Sequence, residues 1–240
     1  MARTVNPEQQ KKTKNALFQV AARAFLRDGY AVTGMKVLAA EAGCTTGKFY
    51  CYYSGKEEIL TDLMTALFRG NKDAAERLAA RRKDTFYGAA AFLALLYQGA
   101  ESYPNLREIY REGLSEPSGR NVAEQILFEM LGKAAGDASE AVGAQKGEEP
   151  PAGEYEELHL RIRAALRAVP AFFEKEGEDG NAGSQRLFLT MLTKILGKSP
   201  EEADTYAERI AGDSALIRER AYDVLVKLLQ GPKRKSVKKM

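Results

Sequence analysis

An all-α chain in two helical parts is what this sequence predicts, and three observations carry the expectation. Apolar residues recur at helical spacing along most of the chain, strand-type alternation bounded by turns is missing, and glycines punctuate the apolar stripes. The balance of 45% hydrophobic and 29% charged residues is that of an ordinary folded domain, and 240 residues suffice for a substantial core. No run of about 18 apolar residues exists, so no membrane span or membrane partner is expected. The polar N-terminus lacks the apolar stretch of a secretory signal. Two cysteines, Cys44 and Cys51, argue against a disulfide framework and for a cytoplasmic location.

The first helix has a clear start. Asn6 suits the cap, Pro7 the first helical position, and Gln9 the place where a capping box puts its return bond. Leu17, Val20, Ala21, Ala24 and Phe25 form its buried stripe, and Gly29 ends it. A short helix follows over about 35–42, burying Met35, Leu38 and Ala39. Gly43 then turns the chain, Thr45 caps, and a second short helix covers about 46–52. Ser54-Gly55-Lys56-Glu57 reads as a capping box opening a longer helix through Leu60, Leu63, Met64 and Leu67. Two short helices across a glycine turn, flanked by longer ones, are a helix-turn-helix.

Beyond residue 70, helices are expected over about 72–83, 86–101, 104–116, 119–135, 154–176, 183–197, 200–211 and 213–230. The small and polar stretch 134–153 reads as a mobile loop, and 177–183 as a turn. Three units result: 1–60 as a helix-turn-helix domain, 61–230 as a helical body, and 231–240 as a disordered basic tail. Net charge is +3, unevenly spread: residues 1–70 are basic, 71–230 acidic, and the tail holds Lys233, Arg234, Lys235, Lys238 and Lys239. A basic head on an acidic body points to polyanion contact at the head.

The stretch AGCTTGKFYCYYSGKEE, residues 42–58, narrows that partner to duplex DNA. A helix entering the major groove needs small or hydrogen-bonding side chains at its N-terminal end, and Thr45, Thr46, Gly47 and Lys48 supply them. Glycine permits close approach, threonine offers a hydroxyl and a methyl, and lysine reaches guanine acceptors or phosphate. The phenols of Tyr50 and Tyr52 can donate to phosphates, whereas Phe49 and Tyr53 are expected to pack inward. Lys56 adds a cation at the start of the next helix, and Lys36 another on the helix before the turn.

Residues 16–60 resemble the tetracycline-repressor (TetR) family of bacterial transcriptional regulators. The run AL-x4-A-x2-F-x3-GY-x2-T-x-M-x2-L-A-x-EAG-C-T-x-GKFY-x-YY-x2-KEEIL carries the resemblance. It implies that Thr33 and Thr45 are hydroxyls against the DNA backbone, that Thr46 and Lys48 read bases, and that Tyr50, Tyr52 and Lys56 hold phosphates. Gly34 stands where the family prefers Thr or Ser as the cap of the second helix. Beyond residue 60 the resemblance is architectural. It implies a C-terminal domain for ligand binding and dimerisation, and hence a homodimer released from operator DNA by a small-molecule effector.

For that effector the candidate lining is Phe92, Tyr97, Tyr103, Tyr110, Phe128, His159 and Phe172, aromatic residues able to line a mainly apolar pocket with a few hydroxyls. For dimerisation two apolar stripes stand out. One holds Leu187, Phe188, Met191, Leu192 and Ile195, and the other Leu225 and Leu228. One of the two completing the core of a single chain is the alternative. Glu156 and His159 have the spacing of a bridged metal site. Such sites need two copies, and His159 is the sole histidine, so neither metal nor cofactor is expected. No nucleophile elbow, phosphate loop or convergent acid–base set is legible, so an enzyme is not expected. The competing reading is a helical interaction or small-molecule-binding module without DNA binding, which would have no use for Lys48, Tyr50 and Lys56 beside the glycine turn.

Overall fold

Asn6 accepts a hydrogen bond from the Glu8 amide at 3.0 Å and Pro7 occupies the first helical position, so the first helix begins where its capping chemistry dictates. The bond goes to Glu8, and Gln9 takes no part in it. The computed structural model describes residues 6–141, 152–173 and 182–231, and among these the chain forms helices and no strand. The head consists of α1 (Pro7–Asp28), α2 (Met35–Glu41) and α3 (Thr46–Tyr50). The body consists of α5 (Thr85–Ser102), α6 (Pro104–Ser115), α7 (Pro117–Ala141), α8 (Ala152–Phe173), α9 (Ala182–Ile195), α10 (Pro200–Gly212) and α11 (Ser214–Gln230). Joining the two is α4 (Lys56–Arg82), the longest helix described.

Two helices were expected where α4 runs unbroken, and the difference turns on Gly70. A Cβ at this position would lie 2.8 Å from Val224 Cγ1, so the glycine lets α11 approach closely rather than ending the helix. The boundary placed at residue 60 therefore falls inside one rigid element. The start of α4 also differs from its expected form. Gly55 is the cap residue and has no side chain to accept from the first helix amides, and the return partner of Ser54 is Glu58 instead of Glu57. The Glu58 carboxylate accepts from the Ser54 amide at 2.8 Å and from its hydroxyl at 3.0 Å. That backbone bond is the main reason its pKa lies below the usual carboxylate value.

The loop expected over 134–153 is helical as far as Ala141, because Ala134, Ala135 and Ala138 favour continuation of α7 more than Gly136 opposes it. Most of the turn expected at 177–183, and all of the basic tail after Gly231, lie outside the described residues. The buried side chains form one continuous cluster from Leu17, Phe25 and Leu38 in the head, along Leu63, Leu67 and Phe68 of α4, to Phe92, Leu166 and Phe188 in the body. Among the described residues no helix is long and apolar enough to cross a membrane.

At the pole farthest along α4 from the head, two carboxylates tie three helices together. Asp84 caps α5 at the Tyr87 amide (3.0 Å) and accepts from Arg209 of α10 at 2.5 Å. Asp213, which follows α10, accepts from Arg82 at 2.5 Å and from the Tyr87 hydroxyl at 2.5 Å. The Arg82 hydrogen bond holds the Asp213 carboxyl below its ordinary range. A depressed carboxylate stabilises the fold above its unfolded pKa, and that contribution disappears as pH falls through the folded value. Asp213→Asn should therefore lower the thermal midpoint at neutral pH, and the gap from wild type should close as the buffer is taken below pH ~4. A gap of constant size across that range would show that the carboxylate charge is not what matters.

Candidate functional site

The helix-turn-helix surface is set by how few of its residues are needed inside. Phe49 and Tyr53 are buried, with ring centroids 6.2 Å apart, and they hold α3 against the rest of the head. Leu38 and Ala39 do the same for α2. Thr45 caps α3, its hydroxyl oxygen accepting from the Lys48 amide at 3.2 Å. What remains outward is Lys36 on α2, Thr45, Gly47 and Lys48 at the start of α3, and Tyr50, which is 55% exposed. Thr46 and Tyr52 are half-buried at the edge. Seven of the nine residues expected to contact DNA are thus exposed or half-buried, on α2, on α3 and beside the ends of α3. Val32 and Val37, at 75% and 46% exposure, lie in the turn before α2 and on α2. Nothing in the apolar pattern marked them as outward residues.

The other two expected contacts have different roles. Thr33 is buried, and its hydroxyl donates to the Gly29 carbonyl at 2.6 Å, so it closes the α1–α2 turn from within. Lys56 turns back toward the same turn. Its ammonium donates to the carbonyls of Tyr30 (3.2 Å) and Ala31 (3.3 Å) and lies 4.4 Å from the Tyr30 ring centroid. Position in the sequence gave both residues the character of surface contacts. The carbonyls of Gly29, Tyr30 and Ala31 accept from them, a demand of the turn that is invisible in sequence.

The same turn is held from the other side by α6. Glu108 accepts from the amides of Tyr30 (2.8 Å) and Ala31 (3.1 Å), and Asn105 donates to the carbonyls of Leu26 (3.0 Å) and Arg27 (2.9 Å). Gly29 has φ of 101°, a backbone state that side chains rarely adopt, and a Cβ there would press on Glu108 Oε2 at 3.0 Å. Sequence reading passed over Asn105 and Glu108, since their partners lie more than seventy residues away.

Of the expected effector lining, four residues meet in the body core. Phe92 and Tyr110 flank Phe68 at 5.9 and 6.0 Å between centroids. Tyr110 reaches Phe173 at 6.3 Å, while Tyr97 and Phe172 both pack on Phe188, at 5.0 and 5.1 Å. Phe128 and His159 stack on each other at 4.1 Å, apart from that series. His159 pairs with the largely buried Glu124 at 3.0 Å, a carboxylate that also accepts from Arg163 at 2.8 Å. Tyr103 lies at the α5–α6 corner in a surface recess beside Tyr222.

A residue missed in the sequence completes the core site. Asn71 is buried and donates from its amide to the Tyr110 hydroxyl at 3.3 Å. Burial raises the Tyr110 pKa well above that of a free phenol. The signal was present: Asn71 stands in the inward stripe of Met64, Leu67, Phe68, Ala74 and Leu78, where a polar residue is out of pattern. The stripes proposed for dimerisation divide. Phe188, Leu192 and Leu225 are buried in the single chain, and Ile195 and Leu228 are half-buried against its core. These residues complete the monomer because each stripe is wide enough to wrap around the inward face. Leu187 and Met191, at 55% and 42% exposure, stay outside, as does Leu160 on the neighbouring α8.

Residues 17–63 match the family model for bacterial regulatory proteins of the tetR family. The fold is similar to that of RolR solved with resorcinol. The TM-score is 0.65 at 16% identity, covering 85% of this chain and 97% of that one. RolR without ligand gives 0.59 at 16% identity, over 80% and 95% of the two chains. FadR of Thermus thermophilus, a TetR-family transcriptional repressor solved with lauroyl-CoA, gives 0.46 at 16% identity, over 93% and 98%. No curated protein matches the chain in sequence.

Two substitutions separate reading from holding on the exposed face. Lys48→Ala should cost about 1–3 kcal/mol on a preferred DNA sequence and less on random DNA. Tyr50→Phe should weaken both by about 1 kcal/mol with no change in preference. Filter-binding titrations on the two DNAs distinguish the patterns, and equal losses for Lys48→Ala would move that lysine to the phosphates.

Proposed function

We propose that the chain, whose residues 17–63 match the family model for bacterial regulatory proteins of the tetR family, is a homodimeric repressor which leaves its operator when a small aromatic molecule enters the body core. The observation that carries this reading is the placement of α6. Glu108 and Tyr110 are two residues apart, about 200° around a helix, so one faces the head and the other the core. Glu108 grips the α1–α2 turn, and Tyr110 forms the polar pair with Asn71 among Phe68, Phe92 and Phe173. A ligand that takes the Asn71–Tyr110 hydrogen bond for itself must displace Tyr110, and the displacement reaches Glu108 through one rigid turn.

The lining suits a small ring bearing one or two hydroxyls. Aromatic faces supply most of the contact, and the buried amide and phenol would leave unsatisfied groups against a purely apolar guest. RolR, which shares the fold, was solved with resorcinol, a molecule of that class. Dimerisation would use the outward residues Leu160, Leu187 and Met191 of α8 and α9. It would set the two reading heads about 34–36 Å apart, or a multiple of that, on the duplex.

Selection of a preferred duplex from a random pool, followed by titration with resorcinol, tests the reading. Binding should fall steeply with salt, and a saturating effector should weaken it roughly 5- to 150-fold. Absence of DNA binding at low salt would return the protein to the class of small-molecule-binding modules. Glu108→Ala should keep effector binding while bringing the ratio of DNA affinities with and without effector toward one. An unchanged ratio would remove α6 from the coupling.

A further inference from the structure

The first turns of α1 have no task in packing the fold. The helix starts at Pro7, yet its first buried residue is Leu17, and residues 6–12 are all exposed. Asn6 and Pro7 nonetheless secure the start, so an overhanging helical segment is held in a fixed direction by its own cap. Between that overhang, the end of α3 and the side of α4 lies a groove of about 710 Å³, whose walls include Gln10, Lys11, Lys14, Tyr52, Asp62 and Arg69.

The charges in the groove do not cancel. Lys14 is taken by Glu58 at 3.3 Å and Asp62 at 3.5 Å, with its ammonium 4.6 Å from the Tyr53 ring centroid. That ion pair neutralises the one carboxylate in the wall and leaves Lys11 and Arg69, neither of which has a carboxylate partner among the described residues. Cys51, Tyr52 and Tyr53, the residues that follow α3, line the groove, so it adjoins the end of the helix expected to lie on the DNA.

We propose that this groove is a second backbone site, in which Lys11 takes a DNA phosphate flanking the segment read by α3. The proposal rests on the DNA-binding reading of the head and extends it to α1. The occupant is the phosphodiester backbone because an excess of cation meets a phenol at the edge of a surface already committed to duplex DNA, and because a phosphate contact needs charge and reach without base recognition. It adds affinity without adding sequence preference.

The test is Lys11→Gln in the full chain, with Lys12→Gln on the same exposed overhang but outside the groove as control. One phosphate per subunit contributes about 0.9 to the slope of log affinity against log salt, so in the dimer Lys11→Gln should flatten the slope by about 2. Between 50 and 200 mM salt the variant should then lose roughly tenfold less affinity than wild type, while Lys12→Gln follows wild type. Sequence preference, measured on the selected duplex and on random DNA, should not change. A wild-type slope for Lys11→Gln, or equal flattening by both variants, would overturn the site. Wild-type protein that shows no salt-dependent DNA binding would instead overturn the DNA-binding reading beneath it. Inorganic phosphate that competes with DNA for wild type but not for Lys11→Gln, at equal ionic strength, would identify the anion chemistry directly.

Discussion

Two opposite charges bracket a single peptide turn, and the relation of head to body depends on them. The Glu108 carboxylate takes the amides of Tyr30 and Ala31, and the Lys56 ammonium takes the carbonyls of the same two residues. Helix α1 ends there at Gly29, leaving amides and carbonyls that no helical bond satisfies, and charged partners are the strongest available replacement. One partner comes from the body and one from the helix joining head to body. The turn is therefore the place where three elements agree on a geometry. Tyr30 reflects this in its phenol, which burial and then the surrounding carboxylates push up to about 12.

Much of this architecture is legible in the sequence because it rests on local rules. Asn6, Pro7 and the stripe of Leu17, Ala21, Ala24 and Phe25 fix α1 with no knowledge of its neighbours, and Thr45 fixes the start of α3. Exposure of Lys36, Lys48 and Tyr50 follows once Leu38 and Phe49 are seen to face inward. What escapes is the tertiary part. Gly70 reads as a break until Val224 is known to occupy the space of its missing side chain. Thr33 and Lys56 read as DNA contacts until the carbonyls of the turn after α1 are seen to accept from them. Phe188 and Leu192 read as an interface because periodicity reports that a face is apolar and not what covers it.

The body core has the opposite character to the turn. Its rings pack edge-to-face or offset around Phe68 and Phe188, and such packing tolerates little gradual change. Asn71 and Tyr110 place one hydrogen bond inside it. A buried pair of this kind costs little while satisfied and much when broken without replacement, so under the proposed function it would favour guests that can restore the bond.

Glu108 at the turn and Tyr110 in the core lie on one short helix, and the proposed coupling of core to DNA would run through it. The joining helix α4 has 27 residues, and at about 1.5 Å per residue it is a lever roughly 40 Å long. A tilt of about 5° at one end moves the other by about 3.5 Å, comparable to one base-pair step, so in the proposed dimer small displacements would suffice to spoil the register of two heads on a duplex. The lever is held at its head end by Lys56 and Glu58, and beside it α6 holds the turn through Asn105 and Glu108. A third tie, from Arg23 of α1 to the Leu229 carbonyl, joins the head to the end of α11. Each of these ties is polar, and they lie beside the continuous buried cluster that also joins head to body. The polar ties can exchange partners with water at modest net cost, while the ring packing cannot separate without exposing apolar surface. Helix α6 has one face on the turn, through Glu108, and the other on the core, through Tyr110.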